Sequence, residues 1–227
     1  MLDAAALDAV LLSLRVAIVA TLCSLPFAVG VAWLLARRRF WGHSALSALV
    51  HLPLVLPPVV TGYLLLLAFG RQGWIGGAFA EIGIVFAFRW TGAALAAAIM
   101  GFPLMVRAIR LSIEAVDPGL EEAAATLGAG RWGVFCRVTL PLIAPGLLAG
   151  VVMGFAKAMG EFGATITFVA NIPGETQTLP SAIYAFLQVP GGEGAALRLV
   201  AVALALSVGA VLLSEWLARR MAARVAA

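Results

Sequence analysis

Charge is what this sequence has least of. Asp, Glu, Lys and Arg together make up 11% of its 227 residues, whereas an ordinary soluble domain carries about 25%. So few charges cannot cover the surface of one or two soluble domains, and that class is excluded. Lysine is nearly missing: Lys157 is the single example among 15 basic residues. It follows an alanine rather than the glycine of a phosphate-binding loop, so the chain is not expected to bind ATP itself. Cysteine is scarce too, and Cys23 and Cys136 have neither the setting for a disulfide nor the spacing of a metal motif. His43 and His51 have no companion ligands, so no metal site is expected. Ser, His and Asp form no recognisable hydrolytic set, and no catalytic residue is assigned. The letters G-x-G-x-x-G occur at Gly128 to Gly133, but no strand precedes them and no βαβ unit surrounds them. The N-terminus has Asp3 and Asp8 and no basic stretch, so a cleaved signal peptide is not expected. Low-complexity tracts, long linkers and internal repeats are likewise missing.

Hydrophobic residues supply 63% of the chain, with a mean hydropathy of +1.06. Several apolar runs reach the roughly 20 residues that cross a bilayer as helix. The expected fold is all-α: a polytopic membrane protein with five spans, at about 7–35, 45–69, 91–113, 143–168 and 195–217. The net charge of +4 does not point to nucleic acid, because the basic residues gather beside span ends. Arg37-Arg38-Arg39, then Arg107 and Arg110, then Arg219-Arg220 mark cytoplasmic ends, which puts the N-terminus outside and the C-terminus inside. Pro53, Pro57 and Pro58 interrupt the second span, as a structural kink or as the lining of a cavity. Outside, Gly76 to Phe88 reads as an interfacial helix with Trp74 and Trp90 at the boundary, and Leu179 to Val189 as a semi-apolar piece. Gly146, Gly150, Gly154 and Ala158 recur every four residues, a small-residue stripe suited to close helix packing.

A polar island, Asp117 to Pro141, interrupts this pattern between the third and fourth spans. Asp117 can N-cap a helix that begins at Pro118, where a missing N–H is harmless. Glu121 and Glu122 then lie early in the helix, favourably placed in its dipole. Ala123, Ala124 and Ala125 form helix readily and let another surface approach the backbone. Gly128 is a natural left-handed stop, and a second helix can run from about Arg131 to Leu140, ended by Pro141. Two short helices meeting at a glycine make a docking surface. Glu122-Ala123-Ala124, three residues, Gly128, nine residues, then Val138-Thr139-Leu140-Pro141 resemble the EAA loop of ABC importer permeases. The resemblance implies a cytoplasmic loop, 114–141, that fits a cleft on an ATP-hydrolysing subunit through Glu121, Glu122, Ala123, Ala124, Gly128, Leu140 and Pro141. Valine for isoleucine at Val138 is the one departure, and it is conservative.

Charges inside the membrane form the second constellation. Lys157 and Glu161 stand one helical turn apart, placed for an i, i+4 ion pair. Each alone near the bilayer centre costs about 2.5–3.5 kcal/mol on insertion scales, so they should face the bundle or a wet cavity. The pair either orients its helix or borders an anion pathway, with Lys157 offsetting substrate charge and Glu161 restraining it. Thr165 and Thr167 offer hydroxyls to an oxyanion or return them to their own helix. Arg15, in the first span, joins this group or snorkels to the surface.

Three further stretches narrow the resemblance: His51 to Val60, Gly160 to Phe168 and Asn171 to Pro180. With the docking loop, they are similar to the permease family of bacterial molybdate ABC importers over essentially the whole chain. That resemblance implies a five-span core in the cytoplasmic (inner) membrane, paired with a second copy of itself and surrounded by membrane lipid. It also implies two cytoplasmic ATP-binding cassette subunits and a periplasmic or extracellular molybdate-binding protein, with no cofactor and no nucleic acid. The cargo would be molybdate or tungstate. The nearest competitor is a sulfate or thiosulfate permease of the same superfamily. A membrane-embedded enzyme would need the catalytic set that is missing, and a passive channel would show flux without nucleotide.

Overall fold

The computed structural model describes residues 4–225, all of whose regular elements are helices; Asp3 lies outside the described residues. Helix α1 (Ala4–Arg37) is continuous despite Pro26. Its buried face is mostly small: Ala6, Ala9, Ser13, Ala17, Ala20, Ser24, Ala28 and Ala32. At spacings of three and four these fall on one side, so α1 can lie closely along its neighbours.

The expected second span is two helices, α2 (His43–Val55) and α3 (Pro58–Phe69), bent by 114° at the break. Leu56 is extended, at φ −70° and ψ 141°, as the residue before a proline prefers. Pro57 cannot donate to a preceding carbonyl, and Pro58 takes the first position of α3, where no donor is needed. The expected interfacial helix over 76–88 is corrected as well. Helix α4 spans Trp74–Glu81 only, and Gly83, at φ +79°, turns the chain away.

Helix α5 (Trp90–Glu114) is the centre of the molecule, with Ala93, Ala96, Ala97, Met105, Val106 and Ile109 almost wholly buried. The polar island follows as α6 (Pro118–Thr126), α7 (Arg131–Val134), a π-helical turn Phe135–Thr139, and α8 (Leu140–Leu142). Pro141 does not end the second helix, as the sequence suggested. In the π turn the Leu140 N–H reaches back to Phe135 O. The chain then bends by 71° into α9 (Ala144–Met159). Pro141 and Pro145, one turn apart, each remove a helical donor here, which weakens the ladder at the bend.

The small-residue stripe of α9 meets α5. A Cβ on Gly146 would overlap the Ser112 side chain, and one on Gly154 would stand 2.6 Å from Met105 Sδ. The apolar run expected as one span over 143–168 stops at Met159 and resumes as α10 (Gly163–Val169). Helix α10 packs on α3 so tightly that a Cβ on Gly62 would collide with the Ala164 backbone. Helices α11 (Leu179–Leu187) and α12 (Glu193–Val225) complete the chain. The Leu179 N–H donates to Ser13 Oγ at 2.6 Å, which ties α11 to α1.

Helices α1, α5 and residues 193–217 of α12 are each long and apolar enough to cross a membrane; counting the two bent pairs as single spans gives up to five.

Candidate functional site

The polar island forms the first part of the site. Asp117 Oδ1 accepts the Gly119 N–H at 2.9 Å, capping α6 next to Pro118 at its first position. This satisfies one of the amides that a helix start leaves unpaired. No residue of α6 is buried, and Leu120, Leu127 and Trp132 are exposed apolar side chains around it. Gly128 has φ +90°, with nothing within 4 Å of where a Cβ would sit. What the position demands is a left-handed backbone, not space.

The two glutamates of α6 have separate environments. Glu122 is exposed, on the same open side as Ala123. Glu121 turns inward, where Oε1 lies 3.3 Å from Arg37 Nη2 and accepts a 2.7 Å hydrogen bond from Thr139 Oγ1. Arg37 Nη2 also donates to Val116 O at 3.1 Å, and Thr139 is buried. One carboxylate thus joins the end of α1, the α5–α6 turn, α6 and the π turn. Leu140 packs against the core formed with Ala28, Ala32 and Ile113, while Pro141 is exposed at the bend. Sequence reasoning placed Arg37 in a topology-setting cluster and missed this role. Its partner lies 84 positions away, and no local periodicity connects them.

The second part lies farther along α9, with Lys157 about 20 Å from the helix start by helical rise. Lys157 Nζ donates to Glu161 Oε2 at 2.8 Å, with side chains 28% and 2% exposed. Glu161 Oε1 accepts the Ala164 N–H at 2.9 Å. The glutamate therefore lies in the break between α9 and α10, holding the lysine with one oxygen and capping the next helix with the other. Thr165 is buried within the fold. Thr167 Oγ1 donates to Gly163 O at 3.0 Å, the return to its own helix that was one of its two expected roles. Among the described residues Arg15 forms no ion pair with this group. Its guanidinium carbon lies 3.8 Å from the centroid of the Trp90 ring, a cation–π arrangement at the start of α5.

The sequence profile of the binding-protein-dependent transport system inner membrane component family matches residues 24–223. The chain is 60% identical over 213 residues, 93% of each chain, to the molybdenum transport system permease protein ModB of Escherichia coli K12. It is 57% identical to the protein of the same name in Haemophilus influenzae, covering 95% of this chain and 94% of that one. Identity to the sulfate transport system permease protein CysT of E. coli K12 is 40%, covering 76% of this chain and 62% of the relative. Among solved structures, one of a bacterial alginate ABC transporter in complex with alginate pentasaccharide-bound periplasmic protein aligns with a TM-score of 0.76. Identity there is 18%, covering 95% of this chain and 78% of that one, a likeness of fold.

Proposed function

The chain belongs to the binding-protein-dependent transport system inner membrane component family, and on that premise we propose that it is the permease through which an ATP-driven importer moves molybdate, with tungstate, across the inner membrane. It is a multi-pass membrane component with the type I ABC importer permease fold. The observation that carries the substrate is the 60% identity across 93% of both chains to a molybdenum permease. The sulfate relative is more distant at 40% over 76% of this chain.

The working assembly is two copies of this chain, two ATP-hydrolysing subunits on the cytoplasmic side, and a binding protein outside that delivers the anion. The N-terminus lies outside and the C-terminus inside. A doubly charged tetrahedral oxyanion cannot enter hydrocarbon, so it requires a wet route opened to each side in turn. One chain has few polar groups with which to enclose such a route, which favours a path between the two copies. ATP hydrolysis takes place in the partner. Its movement reaches the membrane helices through α6, where Glu122 and Ala123 are exposed and Ala124 is half-buried, with Gly128 as the elbow and Leu140-Pro141 as the joint into α9. Glu121 fastens that face to α1. Lys157 borders the route, held in position by Glu161, and Thr165 and Thr167 line it farther along, on α10.

The test is uptake of labelled molybdate by vesicles containing the permease, the ATPase and the loaded binding protein. ATP-dependent uptake is expected, with tungstate competing far better than sulfate. Preferential competition by sulfate overturns the choice of substrate, and uptake without ATP overturns the importer.

A further inference from the structure

A cleft of about 450 Å³ opens between α2 and α5, lined by Ser47, His51, Arg107, Arg110, Leu111 and Glu114. Ser47 and His51 are one turn apart on α2, and Arg107, Arg110 and Glu114 share one face of α5 at i, i+3 and i+7. Both helices reach the cleft at the molecule's α6 end, since α5 runs directly into that loop.

The charges within it are unequal. Arg110 Nε donates to Glu114 Oε1 at 2.7 Å, which neutralises one cation but leaves the terminal amino groups of its guanidinium free to donate. Arg107 is exposed and makes no ion pair within the chain among the described residues. His51 Nδ1 lies 2.8 Å from Ser47 O; a carbonyl can only accept, so that nitrogen carries the proton. The Ser47 hydroxyl is a further donor. Two guanidiniums against one carboxylate leave the cleft net positive.

Arg107 lies about 25 Å along α5 from Trp90 by helical rise, near the inner edge of a hydrocarbon core about 30 Å thick. There it can mark the cytoplasmic end and also face the serine and histidine that α2 presents across the cleft. Guanidinium groups pair with tetrahedral oxyanions through parallel N–H bonds.

We propose that this cleft is the exit-side anion site: a divalent tetrahedral oxyanion passing through the permease rests against Arg107 and the free edge of Arg110 before release. The proposal rests on the importer reading above. Glu114 keeps the site weak by occupying half of Arg110, so that the anion leaves. The two carboxylate and guanidinium variants therefore act in opposite directions, which general damage to the fold would not produce.

The experiment is equilibrium dialysis of radiolabelled molybdate against the purified permease–ATPase complex in zwitterionic lipid nanodiscs without binding protein, paired with vesicle uptake. Arg107→Gln is expected to weaken binding about tenfold, the worth of one charge-assisted hydrogen-bonded contact, and Arg107→Lys to recover most of it. Glu114→Gln is expected to tighten binding several-fold and to slow uptake. Binding within twofold of the unaltered complex for both Arg107→Gln and Glu114→Gln overturns the site. The same arginines could instead hold a lipid phosphate. If anionic phospholipid added to the nanodiscs displaces molybdate completely, and Arg107→Gln alters uptake only in that lipid, the cleft is a headgroup site and the proposal fails. Should the unaltered complex import sulfate and not molybdate, the substrate reading fails separately. Labelled sulfate then replaces molybdate in the dialysis, and the same twofold criterion decides the site.

Discussion

Lys157 and Glu161 show how far one ion pair differs from the sum of its charges. The glutamate side chain is 2% exposed and fully engaged, by Lys157 on one oxygen and the Ala164 amide on the other. Removing the lysine alone leaves a buried carboxylate with half its partners, a loss of about 3–5 kcal/mol for pairs of this kind. Lys157→Ala should therefore damage assembly as well as transport. The double variant Lys157→Met with Glu161→Gln separates the two effects, because glutamine can still accept from Ala164 and no charge is stranded. It is expected to elute as an intact complex by size-exclusion chromatography while molybdate uptake falls at least about tenfold, a barrier rise of roughly 1.4 kcal/mol. Full uptake by the double variant would assign the pair to structure alone.

At the level of elements, the short helices around the polar island are built from capping and chain breaks rather than from a core. Helix α6 buries nothing, and its geometry is held by Asp117 at its start, Glu121 against Arg37 and Thr139, and Gly128 after it. Gly128→Val places a β-branched residue at φ +90°, costing on the order of 1–3 kcal/mol of local strain. The loop is expected to relieve this by rotating α7 relative to α6 without disturbing α5 or α9. ATP hydrolysis by the complex should then continue while uptake per ATP falls several-fold. A ratio equal to that of the unaltered protein would remove Gly128 from the coupling path. The break between α2 and α3 has a similar origin, with Pro57 and Pro58 leaving carbonyls unmet and fixing the extended segment between the helices.

For the whole molecule, the basic residues predict an orientation. Arg37 meets Glu121 and the Val116 carbonyl, so the end of α1, the end of α5 and α6 lie together, whereas Leu65 and Phe69, near the end of α3 before Arg71, pack with Ala93 at the start of α5. Positive charge held on the cytoplasmic side predicts that a cysteine at Ala125 is labelled only when a membrane-impermeant maleimide reaches the cytoplasmic face. A cysteine at Gln72 should be labelled from outside, with Cys23 and Cys136 replaced in the background. The same Ala125 cysteine should crosslink to the ATPase subunit. Labelling of Ala125→Cys from outside would invert the topology and dissociate α6 from the ATPase.

Residues that act on their immediate neighbours were legible along the chain. The composition required membrane helices, Asp117 and Pro118 placed the start of α6, Gly128 required a left-handed turn, and Lys157 with Glu161 implied a one-turn pair. These depend on hydropathy, capping and φ limits over a few residues, which the sequence states directly. Angles and distant partners were not legible. Only the packed fold decided that Pro57 and Pro58 turn the chain by 114°, that Glu161 closes a helix start, that Arg37 meets Glu121, and that Arg107 faces His51 across a cleft. Between apolar helices in lipid, association follows the fit of surfaces rather than exclusion from water. Such pairings are therefore set by where Gly62, Gly146 and Gly154 allow helices to touch, and they exist only once all the helices are in place.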